Sequence, residues 1–154
     1  MFDTNIFNQI LDGGLVIHDS IGMEYFVTNL QYAELNRTKN EQRRESLLEV
    51  FNVIKDNTNS SEIEQHSTPW GSPWDSPWDN GGIYYNSIIE ALEKRKPKDR
   101  GNSYDAVMIE TCKYEEIVFV SNDNAALEVS KEFKVKCMDL SEYLTHFEID
   151  ESSD

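Results

Sequence analysis

The sequence predicts an α/β domain in which a central parallel sheet is covered by helices on both faces. Three observations predict it. Short β-rich runs alternate with segments of helical periodicity, and such alternation implies parallel strands joined by crossover helices. The run Ile117–Val120 is apolar throughout, the pattern of a strand buried on both faces. The length of 154 residues suits a single domain with one core.

The elements follow in order. Asn5–Leu11 reads as a short helix ended by Asp12-Gly13-Gly14. Only Met1 and Phe2 precede Asp3, so any first strand there is very short. Glu24–Thr28 has the aromatic and branched content of a strand, and Leu30–Thr38 then reads as a helix. Glu41–Lys55 is a helix with Leu47, Leu48, Phe51 and Ile54 on one face. Ile83–Lys96 is another, with Tyr84, Ile88 and Leu92 on one face, stopped by Pro97. Ser103–Lys113 is a helix with Ser103 as its candidate N-cap. Ile117–Val120 is a strand, Ala125–Phe133 a helix and Val135–Met138 a last strand, after which Ser141 caps a final turn. One domain over 1–148 is expected, followed by an acidic flexible tail over 149–154.

The formal net charge is −15, from 29 acids against 14 Lys and Arg, which excludes an indiscriminate polycation for nucleic acid or anionic membrane. It leaves a metal enzyme open, because clustered carboxylates are what hard cations bind. The bases are bunched: Arg37, Lys39, Arg43 and Arg44, then Lys94, Arg95, Lys96, Lys98 and Arg100. Each patch reads either as solvated helix ends or as a ridge that contacts phosphates. No apolar run is long enough for a bilayer, and no basic n-region opens the chain, so no membrane partner is expected. Cys112 and Cys137 form no zinc pattern and read as buried thiols of a cytoplasmic protein. His18, His66 and His146 are scattered and read as surface residues.

In parallel sheets ligands bind beyond the carboxyl ends of the strands. Asp3 follows Met-Phe, Glu34 lies in the helix after Glu24–Thr28, and Asp123 follows Ile117–Val120. Asp105 starts the helix that leads into that last strand. Converging carboxylates repel unless cations neutralise them, and Mg²⁺ or Mn²⁺ suits oxygen donors. Two such ions about 3.5–4 Å apart can activate water on a phosphodiester. Each acid has a plainer reading. Asp3 and Asp123 suit helix N-caps, Asp105 suits the positive end of its helix, and Glu34 suits a helix surface.

Together these segments resemble PIN-domain ribonucleases, including the VapC-type toxins of toxin–antitoxin pairs. Asp3-Thr4-Asn5 resembles that family's D-x-N opening, and Tyr32-Ala33-Glu34-Leu35-Asn36-Arg37-Thr38 its E-L-x-R-(T) helix. Asp105-Ala106-Val107-Met108-Ile109 resembles its D-A-x-I-A segment, and Val120-Ser121-Asn122-Asp123 its T/S-N-D element. The resemblance implies a three-layer α/β/α domain and a metal-dependent endoribonuclease. It implies Asp3, Glu34, Asp105 and Asp123 as catalytic residues and ligands of Mg²⁺ or Mn²⁺, supported by Asn5, Thr4 and Ser121. It further implies hydrolysis by activated water, leaving a 5′-phosphate and a 3′-hydroxyl. An inhibitory antitoxin protein and a homodimer are partners of the family. Arg37, Arg43, Arg44, Lys94, Arg95, Lys98 and Arg100 are candidate RNA contacts on this reading.

Asn57–Gly82 reads as an insertion loop of 26 residues, centred on Pro69-Trp70-Gly71-Ser72, Pro73-Trp74-Asp75-Ser76 and Pro77-Trp78-Asp79-Asn80. It suits a surface loop, a docking arm for a partner, or a platform on which Trp74 stacks an unpaired base. The arm and the short first strand also fit a different class, a catalytically weak PIN-like scaffold that docks a partner through this loop.

Overall fold

The computed structural model describes residues 1–15, 24–56, 60–64, 84–99 and 101–145. Trp70, Trp74, Trp78, Arg100, the three histidines and the tail over 149–154 therefore lie outside the described residues. The elements are α1 (Thr4–Gly13), β1 (Tyr25–Val27), α2 (Asn29–Leu35), α3 (Glu41–Lys55) and β2 (Ser60–Glu62). They continue as α4 (Tyr85–Arg95), α5 (Asn102–Glu115), β3 (Phe119–Val120), α6 (Asn124–Glu132) and β4 (Cys137–Met138). A short last helix covers 140–145.

The protein is a mixed α/β structure whose strands pair in parallel. β1 pairs with β2, Tyr25 opposite Ser60, and β3 pairs with β4, Phe119 opposite Cys137. Phe2 adds a parallel bridge to Val120. Around it the Asp3 N–H donates to Val120 O at 2.8 Å, and the Val120 N–H donates to Met1 O at 2.9 Å. The Met1 ammonium donates to Val118 O at 2.8 Å, so the opening residues are hydrogen-bonded along β3. Between Phe2 and the first strand pair the link is a side chain: Gln31 Nε2 donates to Phe2 O at 2.6 Å.

Strand residues point alternately to opposite faces, and here they divide between two apolar clusters. Met1, Phe119 and Cys137 pack with α4, α5 and α6, whereas Phe2, Val120 and Met138 pack with α1, α3 and the last helix. Leu47, Phe51 and Ile54 are buried as the spacing of α3 predicts, and so are Ile88 and Leu92 of α4. Each fully buried Leu or Ile contributes about 1.5–3 kcal/mol by leaving water.

Four local expectations are corrected. The segment Asn57–Gly82 is not loop throughout, because Ser60–Glu62 forms β2 along the edge of β1. Helix α5 starts at Asn102 with Gly101 at its N-cap, so Ser103 lies inside it. The last helix is capped by Asp139, whose Oδ1 accepts the Glu142 N–H at 2.8 Å, rather than by Ser141. Strands β3 and β4 are two residues each, shorter than Ile117–Val120 and Val135–Met138. The expected stop of α1 is found, with Gly14 in the left-handed region at φ 61°, where a side chain would be strained. Among the described residues no helix is long and apolar enough to cross a membrane. Cys112 and Cys137 are both free thiols, and burial pushes Cys112 up to about 12.

Candidate functional site

The candidate site is a cluster of acids from the ends of four segments. Asp3 follows the Phe2 bridge and occupies the N-cap position of α1, but its side chain makes no capping bond there. It is 3% exposed. Its Oδ2 accepts the Ser121 hydroxyl at 2.8 Å, and the Thr4 N–H also bonds to it. Ser121 Oγ in turn accepts the Asp123 N–H at 3.0 Å, so one buried hydroxyl ties the first acid to the last.

Glu34 arrives from α2. That helix is fixed by a capping box, in which Thr28 Oγ1 accepts the Gln31 N–H and Gln31 Oε1 accepts the Thr28 N–H. Thr4 Oγ1 donates to Glu34 Oε2 at 2.5 Å. Asp105 lies in the first turn of α5. Asp123 caps α6 by accepting the N–H groups of Ala125 at 2.9 Å and Ala126 at 3.3 Å. Its helix-cap reading and its site reading are therefore both realised.

The acids sense one another. Burial raises Asp3 above the ordinary carboxylate range, and Glu34 and Asp123 push it further. Burial lifts Glu34 to about 7, with Asp105 adding to the rise and Thr4 and Arg37 opposing it. Asp105 is raised by burial and by Asp3 and Asp123, against the pull of Lys96. Asp123 goes the other way. Burial would raise it, but Lys96 and the N–H groups of α6 more than offset that, and it sits below its ordinary value.

Lys96 is the residue the sequence did not single out. Its Nζ lies 2.9 Å from Asp105 Oδ2 and 2.7 Å from Asp123 Oδ2, with its side chain 19% exposed. Nothing in the sequence separates it from the other bases of its run, since the pairing exists only once α4, α5 and α6 have packed. Among the described residues no group of three or more His, Cys, Asp or Glu is arranged to hold a metal ion. The donor set itself is hard oxygen throughout, and the mutual repulsion of Asp3, Glu34 and Asp105 is the charge a hard divalent ion relieves. The chemistry of those three side chains fits such an ion.

The other candidates spread out. Asn5 is exposed on α1, while the bonds to Asp3 come from Ser121 and Thr4. Arg37 bonds to the Tyr104 phenol and lies 5.7 Å from its ring centre. This pair neighbours Glu34 and Asp105 in sequence and stands at the rim. Arg43 is bound to Asp12 at 2.9 Å and Asn8 at 2.8 Å, and Arg95 to Glu128 and Glu132 at 3.1 and 3.2 Å. Arg44 donates to Thr38 O at 3.2 Å, while Lys94 and Lys98 are exposed. Trp74 and Arg100 lie outside the described residues.

No protein-family model matches the chain, and no curated protein matches it.

Proposed function

We propose that the chain is a metal-dependent endoribonuclease of the PIN type. The observation that carries the reading is the meeting of Asp3, Glu34, Asp105 and Asp123 from four separate segments, three of them raised by one another and by burial. Asp3, Glu34 and Asp105 would hold Mg²⁺ or Mn²⁺. Such an ion supplies charge stabilisation and water activation for phosphodiester hydrolysis. Thr4 and Ser121 orient the carboxylates of Glu34 and Asp3 through their hydroxyls. Arg37 and Tyr104 offer a cation and an aromatic face to single-stranded RNA at the rim.

The fold belongs to the same reading. The strand order β2-β1-Phe2-β3-β4, all parallel, would make one sheet between two helical layers. Support comes from the Phe2–Val120 bridge, the Gln31 bond to Phe2 and the two clusters on opposite strand faces. A protein antitoxin, a homodimer and a cytoplasmic setting are part of the proposal.

The test is cleavage of single-stranded RNA with Mn²⁺ and with EDTA, for the wild type and Asp105→Asn. Cleavage that needs Mn²⁺ and is lost in Asp105→Asn is expected. Equal cutting by the variant would overturn the assignment.

A further inference from the structure

We propose that a cavity at the amino ends of the strands binds a small organic amine, with the ligand's apolar body inside and its ammonium beside Glu24 and Glu116 at the mouth. The site is separate from the four acids, which gather at the carboxyl ends of the strands, and it does not depend on the metal-dependent reading.

The cavity has a volume of about 370 Å³, within the usual range of a small-ligand site. Glu24 precedes β1, and Ile117 and Val118 precede β3, so it opens at the amino end of the seam between β1 and the Met1–Phe2 segment. At the other end that seam is tied by Gln31 of α2, through its bond to Phe2 O. Phe2, Phe26, Ile117 and Val120 give the cavity apolar walls. Tyr25 and Tyr143 also line it, and their hydroxyls bond to each other at 2.7 Å.

The charge of the mouth selects the ligand. Among the lining residues the charged groups are Glu24, Glu116 and the Met1 amino group. The amino group is buried, donates to Val118 O at 2.8 Å and has its pKa lowered by that burial, which leaves the mouth negative. Both glutamates are exposed. Glu24 is steadied through one oxygen, its Oε1 accepting the Ser61 hydroxyl at 3.1 Å. Among the described residues Glu24 Oε2 and the Glu116 carboxylate have no partner. Glu116 stands at the C-cap of α5 with φ 55°, the left-handed region that favours glycine. It also puts an anion at the negative end of the helix dipole. An ammonium at the mouth meets both carboxylates and the carbonyl end of α5, whereas an anionic ligand would be repelled by all three.

The test titrates phenethylamine into the full chain carrying ¹³C-methyl methionine, beside 2-phenylethanol and phenylacetate, which share its apolar body. Met1 and Met138 line the cavity, and Met108 lies outside it on α5. Saturable shifts of the Met1 and Met138 methyls, with Met108 unmoved, are expected. The amine should bind about fivefold tighter than the alcohol, lose that advantage at high salt, and outbind phenylacetate by more. Glu24→Gln and Glu116→Gln should each weaken the amine about two- to fivefold and leave the alcohol unchanged. Glu116→Gly should melt above the wild type, because glycine suits the φ, and still bind the amine more weakly. Equal binding of amine and alcohol, unmoved Met1 and Met138 methyls, or unchanged amine affinity in both Glu116 variants would overturn the proposal. So would a Phe-Lys dipeptide amide that shifts these methyls where phenethylamine does not, which would assign the cavity to a basic protein segment.

Discussion

Ser121 donates its hydroxyl to Asp3 across 118 positions of sequence, and the same oxygen accepts the N–H of Asp123. A buried carboxylate with a raised pKa is held in place by this neutral hydroxyl and by the Thr4 N–H. Ser121→Ala leaves Asp3 Oδ2 and the Asp123 N–H without that partner. Urea unfolding is expected to show a loss of about 1–2 kcal/mol. Mn²⁺ affinity is expected to fall by about tenfold or more, the usual effect of removing a group that orients a ligand.

The metal-free protein should lose stability as pH rises from about 4.5 to about 7. Glu34 carries the sign: its folded pKa, about 7, lies above its ordinary 4.5. Within that window the folded state holds a proton that the unfolded state has released, so stability falls with pH. The groups around it are Thr4, Asp105 and Arg37. Thermal melts in EDTA between pH 4.5 and 8 should show the decline. Saturating Mn²⁺ should raise the melting temperature most at the high-pH end.

Asp105→Asn and Asp123→Ala should differ in stability. The folded state already favours a neutral group at 105, so the isosteric amide is expected to match or exceed the wild type in metal-free melts at neutral pH. Asp123 is stabilised as an anion by Lys96 and by the start of α6. Its removal deletes an N-cap and is expected to cost about 1–2 kcal/mol.

Binding of single-stranded RNA should depend on the rim more than on the outlying arginines. Tyr104→Ala and Arg37→Ala are each expected to weaken binding several-fold in a gel-shift assay, since a stacked base contributes about 1–3 kcal/mol. Arg43→Ala and Arg95→Ala should change it little, because each guanidinium is engaged by acids of its own.

The sequence made the order of elements readable because burial imposes period. The α3 face of Leu47, Phe51 and Ile54 and the α4 face of Ile88 and Leu92 are spaced as helices require. The positions of three of the acids were readable too: Asp3 and Asp123 stand at helix N-caps and Asp105 in a first turn, whereas Glu34 lies near the end of α2. β2 was not, as Ser60-Ser61-Glu62 has none of the branched or aromatic content of a strand and is extended by pairing with β1. The capping box has a local signal, T-x-x-Q at Thr28 and Gln31, which marks the start of α2. Lys96 left no such trace, because its partners stand 9 and 27 positions away and no local rule links them.

The hydrogen-bonding of Met1–Asp3 along β3 also sets when the acid cluster can exist. Their strand partner is Val118–Val120, 117 positions later in the chain at Met1 and Val118. Contacts so far apart in sequence slow folding, because the loop between them must close before they gain anything. A chain still growing on the ribosome has Asp3 and Glu34 exposed to water as ordinary acids. Only when Asp123 has emerged can the carboxylates be gathered and buried, so the site closes later than α1, α2 and α3 can form.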